Sequence, residues 1–596
     1  MNQSSPSSNR SVAETVADGM RILWDVPIPM EDGVVLRADV FLPTKPGRYA
    51  VIMSHGPYGK GVTFQDKSEI GWYSLAWDRM VADYPEILEG SSNKYQNWET
   101  VDPEKWVPDG FVCVRVDSRG AGRSPGVFDP TSSPREIRDF YNCIEWAGVQ
   151  EWSNGKVGLN GISYYATNQW QVAALQPPHL AAICVWEGAA DRYRDGSRHG
   201  GIYTQFSKIW FDLQVLPLQH GYGGHDVRSK FTGERVTGPE TLTDEELKAN
   251  RRLPWAEEAL HRVLEDDYFQ DRTADLSRIT VPLLSAGNWG GMGLHTRGNF
   301  EGFLGAASKQ KWLRAHGDTH YSPFYRNEGV ELQKRFFGHF LQGKDTGWDR
   351  QPRVQLQIRS PGEQFDVRDE QEWPLARTKW TRFYLAPESR TLDTSPHTGA
   401  PITYDATGDG VTFSLPPAKV GMEITGPMAA RLVVSSETAD ADLFLALRLF
   451  APDGNEVLFM GSNDPHVPIG LGWLRASHRK LDPERTLPYR PYHTHDELQP
   501  LVPGQPVVLD IEILPTSIVV PAGYTLRLDV RGKDYDHQLG DSGQSDAPHA
   551  MTGIGPFVHT DPQDRPMEIF GKKNTLHFEE GREPFLLLPV IPAKAP

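Results

Sequence analysis

A chain of 596 residues is too long for one ordinary hydrophobic core, so two or three domains are expected. Its net charge of −17 excludes a nucleic-acid surface built on clustered Lys and Arg, and three cysteines exclude a disulfide framework. Residues 1–16 are polar without the apolar core of a signal peptide, and no apolar run is long enough to span a bilayer, which implies a soluble, cytoplasmic protein.

In chain order, residues 22–41 read as a hairpin with Glu31-Asp32-Gly33 at its turn. Short apolar runs of buried-strand type follow at residues 49–54, 111–117, 157–160, 180–186, 281–286 and 311–315. Helix-like segments lie between several of them, such as residues 133–147 with their Ser-Pro start signal. Strands alternating with helices predict a mostly parallel α/β sheet. Two interruptions stand out. Residues 62–108, rich in Trp, Tyr and Asp, read as an elaborated loop over a site. Residues 192–275, with an amphipathic piece at 244–264, read as a helical cap. After about residue 352 the segments become strand-like, punctuated by Pro and Gly and by an Asp453-Gly454 hairpin turn, which predicts a β-sandwich. Cys113 and Cys184 lie within apolar runs and are expected as buried small hydrophobes.

The chemistry centres on Gly161-Ile162-Ser163-Tyr164-Tyr165. A β-prone run feeds a glycine-flanked serine and a helix-compatible segment follows, the local recipe for a nucleophile elbow. Tyr165 replaces the second glycine of the generic G-x-S-x-G pattern. An acyl-transfer site also needs a base and oxyanion donors. His320 follows the last predicted core strand and is the expected base, with His316 as the alternative. The loop Ser54-His55-Gly56-Pro57-Tyr58 offers the Tyr58 phenol as one oxyanion donor, and the Tyr164 backbone amide offers a second. The stretch Gly120-Ala121-Gly122-Arg123-Ser124-Pro125-Gly126 departs from a dinucleotide fingerprint, because its third glycine falls one place late. No cofactor is called for.

These residues carry a resemblance to the CocE/NonD group of serine hydrolases, the group of cocaine esterase and X-Pro dipeptidyl-peptidase. It rests on Met30-Glu31-Asp32-Gly33, Gly56-Pro57-Tyr58, Asp117-Ser118-Arg119-Gly120-Ala121-Gly122, Gly161-Ile162-Ser163-Tyr164 and Gln169-Trp170-Gln171. It continues through Arg335-Phe336-Phe337, Ser477-His478-Arg479 and Pro515-Thr516-Ser517. The resemblance implies an α/β-hydrolase domain at residues 1–190 and 276–352, a helical cap at 191–275 and a C-terminal jelly-roll β-sandwich at 353–596. In that group the elbow reads G-x-S-Y. The match then implies Ser163 as nucleophile, His320 as base, Tyr58 as phenolic donor and Tyr164 as backbone donor.

One departure concerns the third triad member. The group carries its acid in a G-W-x-D segment, where this chain has Gly287-Asn288-Trp289-Gly290-Gly291 and no carboxylate. Some α/β-hydrolases take the acid from the end of the preceding core strand instead. Glu187 occupies that place here and is the expected replacement, with Asp191 as the alternative. The leading expectation is a serine hydrolase of a small-molecule ester or amide with an aromatic or hydrophobic acyl group, given the aromatic residues at 62–106 and Trp289. X-Pro peptides and β-lactam acyl esters are alternative substrates. No nucleic acid or membrane partner is expected, and a homo-oligomer is allowed. Two other classes compete: a metal-dependent hydrolase using His316, Asp318 and His320, and a non-catalytic binding protein.

Overall fold

In the computed structural model, which describes residues 12–64, 70, 73–537 and 552–592, one long sheet organises the N-terminal half of the chain. Its strands are β1 (Ala13–Ala17), β2 (Met20–Pro29), β3 (Val35–Pro43), β4 (Tyr49–Gly56), β5 (Phe111–Asp117), β6 (Ser153–Ile162) and β7 (Leu180–Trp186). They continue with β8 (Leu283–Asn288), β9 (Lys311–His316), β10 (Val354–Ser360) and β11 (Gln364–Glu370). The order across the sheet is β1-β2-β3-β5-β4-β6-β7-β8-β9-β10-β11. The strands from β5 through β10 in that order run parallel, and the edges at β1–β3 and β11 are antiparallel. Runs such as Phe111–Asp117 are buried along their whole length, as expected where helices cover both faces of a parallel sheet.

The predicted hairpin is β2 and β3, closed at Met30–Val34 with Gly33 at φ +86°. Residues 13–16, read from sequence as part of a polar tail, instead pair with β2 through their backbone, as does Ala17, while their side chains stay largely exposed. The first eleven residues of that tail lie outside the described residues, as do 65–69 and 71–72 of the expected loop at 62–108. Helix α1 (Pro134–Gly148) starts where Ser133 accepts the Glu136 amide and Pro134 occupies the first turn. Helix α2 (Tyr164–Ala174) follows β6 directly. The cysteines on β5 and β7 are buried thiols, as is Cys143 on α1.

The segment between β7 and β8 is built from short pieces, among them Phe206–Trp210, Asp244–Ala249 and Trp255–His261. The amphipathic piece at 244–264 is two short helices, because Pro254 cannot continue a helix through residues 250–254.

Beyond residue 352, β10 and β11 extend the parallel sheet, and the strands of the C-terminal β domain follow from Lys379–Ala386, joined to β10 through Arg359 and Ile518. That domain pairs Met422–Ser436 with Val507–Val520, and Asp442–Phe450 with Gly470–Arg475 and Thr525–Arg531, all antiparallel. Leu432, Val434, Leu445, Leu447, Leu509 and Leu528 fill its core. Arg359 on β10 reaches into it, donating to Thr516 Oγ1 (2.6 Å) and the Ser517 carbonyl (3.1 Å). No helix among the described residues is long and apolar enough to cross a membrane.

Candidate active site

The end of β6 turns sharply into α2 at Ser163, whose φ of +56° and ψ of −110° are sparsely populated for a residue with a side chain. The turn is crowded. A Cβ added at Gly161 would lie 2.5 Å from the Tyr165 Cβ, and one at Gly56 would lie 2.8 Å from the Tyr165 ring. The tyrosine that breaks the generic motif therefore occupies space that Gly56 and Gly161 leave open. The Ser163 amide donates to the carbonyls of Trp186 and Glu187 (3.1 and 3.2 Å), tying the elbow to the end of β7.

Tyr58 lies over this elbow, with its ring edge-on to Tyr164 and Tyr165. Its hydroxyl accepts the Trp210 indole N–H at 2.9 Å. Tyr164 is the first residue of α2, so its amide has no carbonyl one turn earlier to bond within the helix. Its side chain points elsewhere, donating to buried Glu136 at 2.7 Å. Burial raises Glu136 to about 7 despite that hydrogen bond.

Glu187 stands just past β7, fully buried at φ +51°. Its carboxylate accepts His320 Nδ1 (2.8 Å) and the Ser462 hydroxyl (2.7 Å) on one oxygen, and the Asn288 amide (3.2 Å) on the other. Asn288 also donates to the Asp318 carbonyl (2.7 Å), bracing the loop that carries His320. A carboxylate only accepts, so this contact assigns the proton to Nδ1. Gly290, in the segment where the group's acid was sought, has no room for a side chain, since a Cβ there would meet the Gly461 Cα at 2.3 Å. Asp191 is turned away, accepting from the amides of Tyr193 and Arg194 and pairing with the Arg194 guanidinium at 2.7 Å.

Three residues were not singled out in the sequence. Glu99, from the loop between β4 and β5, places Oε1 3.2 Å from His320 Nε2, and its φ is +58°. Its carbonyl accepts the Ile162 amide at 3.0 Å, so it is anchored to the strand that bears Ser163. Among the described residues the Ser163 hydroxyl makes no hydrogen bond, and His320 Nε2 faces Glu99 instead. His295 stacks on His320 with ring centroids 5.2 Å apart and planes 10° from parallel. Ser462 comes from the β domain. No motif marks any of the three, because a left-handed glutamate in a long loop and a contact between domains leave no local pattern.

The electrostatics follow from this packing. Burial pushes His320 down, but the charges and hydrogen bonds of Glu187 and Glu99 outweigh it and raise the imidazole to about 9. Burial raises Glu99 to about 7, only partly offset by His320. Burial, with the charges of His320 and Arg192, holds His295 well below the usual range.

A pocket partly open to solvent contains Ser163. Its walls include Tyr58, Arg192, Phe206, Trp210, Trp255 and His295. Phe206, Trp210 and Trp255 of this lining come from the segment between β7 and β8. This corrects the sequence expectation: Trp289 packs with Phe300 and Trp373, Phe64 packs against Trp77 and Trp98, and none of these residues lines the pocket. His316 bonds the Gly317 carbonyl and packs against Trp186, so it does not join His320. The expected alternation of His316, Asp318 and His320 does not converge: among the described residues no group of three or more His, Cys, Asp or Glu is arranged to hold a metal ion.

Residues 32–322 match the family model of X-Pro dipeptidyl-peptidase (S15 family), and residues 346–585 that of the X-Pro dipeptidyl-peptidase C-terminal non-catalytic domain. A crystal structure of a CocE/NonD family hydrolase from Staphylococcus aureus is 30% identical, with a TM-score of 0.81 covering 96% of this chain and 94% of that one. The cocaine esterase of Rhodococcus sp. (strain MB1 Bresler) is 25% identical over 501 residues, 73% of this chain and 81% of the esterase. An α-amino acid ester hydrolase, 16% identical, shares the fold at a TM-score of 0.66 over 99% of this chain and 100% of its own. The chain belongs to the CocE/NonD family and is a serine hydrolase acting on esters or amides.

Proposed function

We propose that this hydrolase cleaves a small ester or amide through an acyl-enzyme on Ser163. His320 is the general base, Glu187 the acid that orients it, and Tyr58 and the Tyr164 amide the oxyanion donors. The observation that carries the reading is Ser163 itself, held in a left-handed turn between β6 and α2 inside the cavity that Tyr58 also lines.

The Nε2 proton of His320 first leaves, to Glu99 or to solvent. Ser163 Oγ then attacks the carbonyl carbon, and its proton passes to Nε2. The C–O or C–N bond breaks and the leaving group takes that proton. Water repeats the sequence on the acyl-enzyme, releasing the carboxylic acid and restoring Ser163. Tyr58 and the Tyr164 amide hold the oxyanion at each tetrahedral stage.

Covalent labelling of Ser163 by a fluorophosphonate, together with loss of turnover in Ser163→Ala, tests the nucleophile. Labelling at another residue, or turnover retained in that variant, overturns the reading.

One observation favours a second choice of base: His295, not His320, lines the cavity that holds Ser163. Its Nδ1 has no acceptor among the described residues and its basicity is depressed, so His320 is the better base. A deeper loss of turnover in His295→Ala than in His320→Ala reverses the choice.

Phe206, Trp210, Trp255 and Leu294 in the cavity support a substrate with a hydrophobic face. X-Pro amides and acylated β-lactams are the alternatives, and one panel of acyl esters, X-Pro amides and β-lactam acyl esters separates them. We assign the C-terminal β domain to the jelly-roll type, a reading supported by its antiparallel pairings and the family resemblance.

A further inference from the structure

Arg192 differs from the buried arginines around it. Arg194 pairs with Asp191 and Glu265, Arg198 with Asp564, Arg272 with Asp129, and Arg297 with Asp195 and Glu512. Each keeps its charge beside a carboxylate, as burial of a cation requires. Arg192 is 7% exposed, yet among the described residues no carboxylate lies within ion-pair distance of its guanidinium.

Other buried arginines without a carboxylate make several bonds to neutral acceptors, although Arg115 and Arg359 each keep one unbonded nitrogen. Arg115 donates to the Tyr95 and Val101 carbonyls and the Asn97 amide oxygen. Arg359 donates to two carbonyls and a hydroxyl. A guanidinium carries five N–H donors. The Arg192 side chain donates in a single bond, from Nη2 to the Ser132 hydroxyl at 3.2 Å, and its Nε is buried without an acceptor. The carboxylate behind Ser132 is Glu136, already taken by the Tyr164 hydroxyl and the Ser132 amide.

The place of Arg192 gives this surplus a direction. It lines the cavity that contains Ser163, and its guanidinium packs over the Trp255 ring with Cζ 5.0 Å from the centroid. Such packing fixes the plane of the group while leaving its edge to bond. A planar fork of donors with a net charge matches a carboxylate better than a neutral carbonyl.

We propose that Arg192 binds a carboxylate carried by the substrate, so that this enzyme selects esters or amides bearing an anionic group near the bond it breaks. The inference rests on the Ser163 reading, because it takes that cavity as the substrate site. The carboxylate can lie on the acyl side or on the leaving group, and each arrangement has its own test.

The experiment measures kcat/KM of the full-length protein on two matched comparisons: phenyl hydrogen succinate against phenyl butyrate, and 3-carboxyphenyl butyrate against phenyl butyrate. The expected result is a preference of about tenfold or more for the carboxylated ester in one comparison, and loss of most of that ratio in Arg192→Gln with partial recovery in Arg192→Lys. The comparison that shows the preference identifies the side that bears the charge. If Arg192→Gln does not fold, inhibition of wild-type phenyl butyrate hydrolysis by succinate against succinamide carries the test, with succinate expected to bind more tightly. Equal rates within both comparisons, a ratio unchanged in Arg192→Gln, or equal inhibition by the two compounds overturns the proposal. Fluorophosphonate labelling separates the failures: a labelled Ser163 with flat ratios removes only the role of Arg192, whereas an unlabelled Ser163 removes both readings.

Discussion

The Ser462 hydroxyl donates to Glu187 Oε2 at 2.7 Å, joining the β domain to the carboxylate that holds His320, across 275 positions of sequence. The same segment accepts the His320 amide at the Ser462 carbonyl (3.1 Å) and returns the Ser462 amide to Gly290 (3.2 Å). The β domain thus shares in building the site. A hydrogen bond to a charged group contributes about 1.5–3 kcal/mol, so Ser462→Ala is expected to lower kcat by about tenfold with KM little changed. Steady-state kinetics beside a thermal melt check it. A fall in Tm with kcat intact limits Ser462 to a structural part.

Glu187 and Asp191 separate cleanly in their surroundings. Glu187→Gln should lower kcat by about 10³–10⁴, because the orienting acceptor for Nδ1 is lost. Asp191→Asn removes one side of the Arg194 pair and should act mainly on stability. Kinetics and melting curves of the two variants, measured together, decide the order, and a greater loss of kcat in Asp191→Asn refutes the assignment.

Tyr58 bonds the Trp210 indole N–H through its oxygen, which fixes the hydroxyl at the wall of the pocket that contains Ser163. Tyr58→Phe keeps the ring contacts with Tyr164 and Tyr165 and removes only the hydroxyl. If that hydroxyl holds the oxyanion, kcat should fall by about 10²–10³. An unchanged kcat returns Tyr58 to a packing role.

The pH dependence carries its own sign. His320 acts as a base only when Nε2 is neutral, and its pKa is raised to about 9 against the burial that lowers it, by Glu187 and Glu99. The neutral fraction therefore grows as pH rises, and kcat/KM should climb until about pH 9. A histidine of ordinary pKa would level off above about 6.5. Glu99→Gln removes one of the two carboxylates that hold the proton, so the rising limb should move to lower pH. A limb that stays in place in the variant shows that Glu99 does not share the proton.

The architecture was legible because it is written in local patterns. Apolar runs such as β5 and β7 read as strands buried on both faces, and the glycine-flanked serine after β6 read as an elbow. Glu187 was reachable for a related reason: its place at the end of a core strand follows from chain order. The amphipathic piece at 244–264 divides into two short helices, because periodicity continues across Pro254 while a helix does not. The aromatic residues at 62–106 were assigned to the site on composition, which cannot distinguish a pocket wall from a core.

Residue type and order by themselves determined the parallel sheet, the elbow serine, the imidazole in the loop after β9 and the carboxylate at the end of β7. Each depends on a side chain's position within its own element. Only the tertiary structure decided that Glu99 meets Nε2, that Ser462 reaches Glu187 from another domain, and that Arg192 lines the cavity beside Trp255. These contacts join segments far apart in the chain and depend on left-handed turns and packing of one layer on another. Short-range sequence pattern records neither.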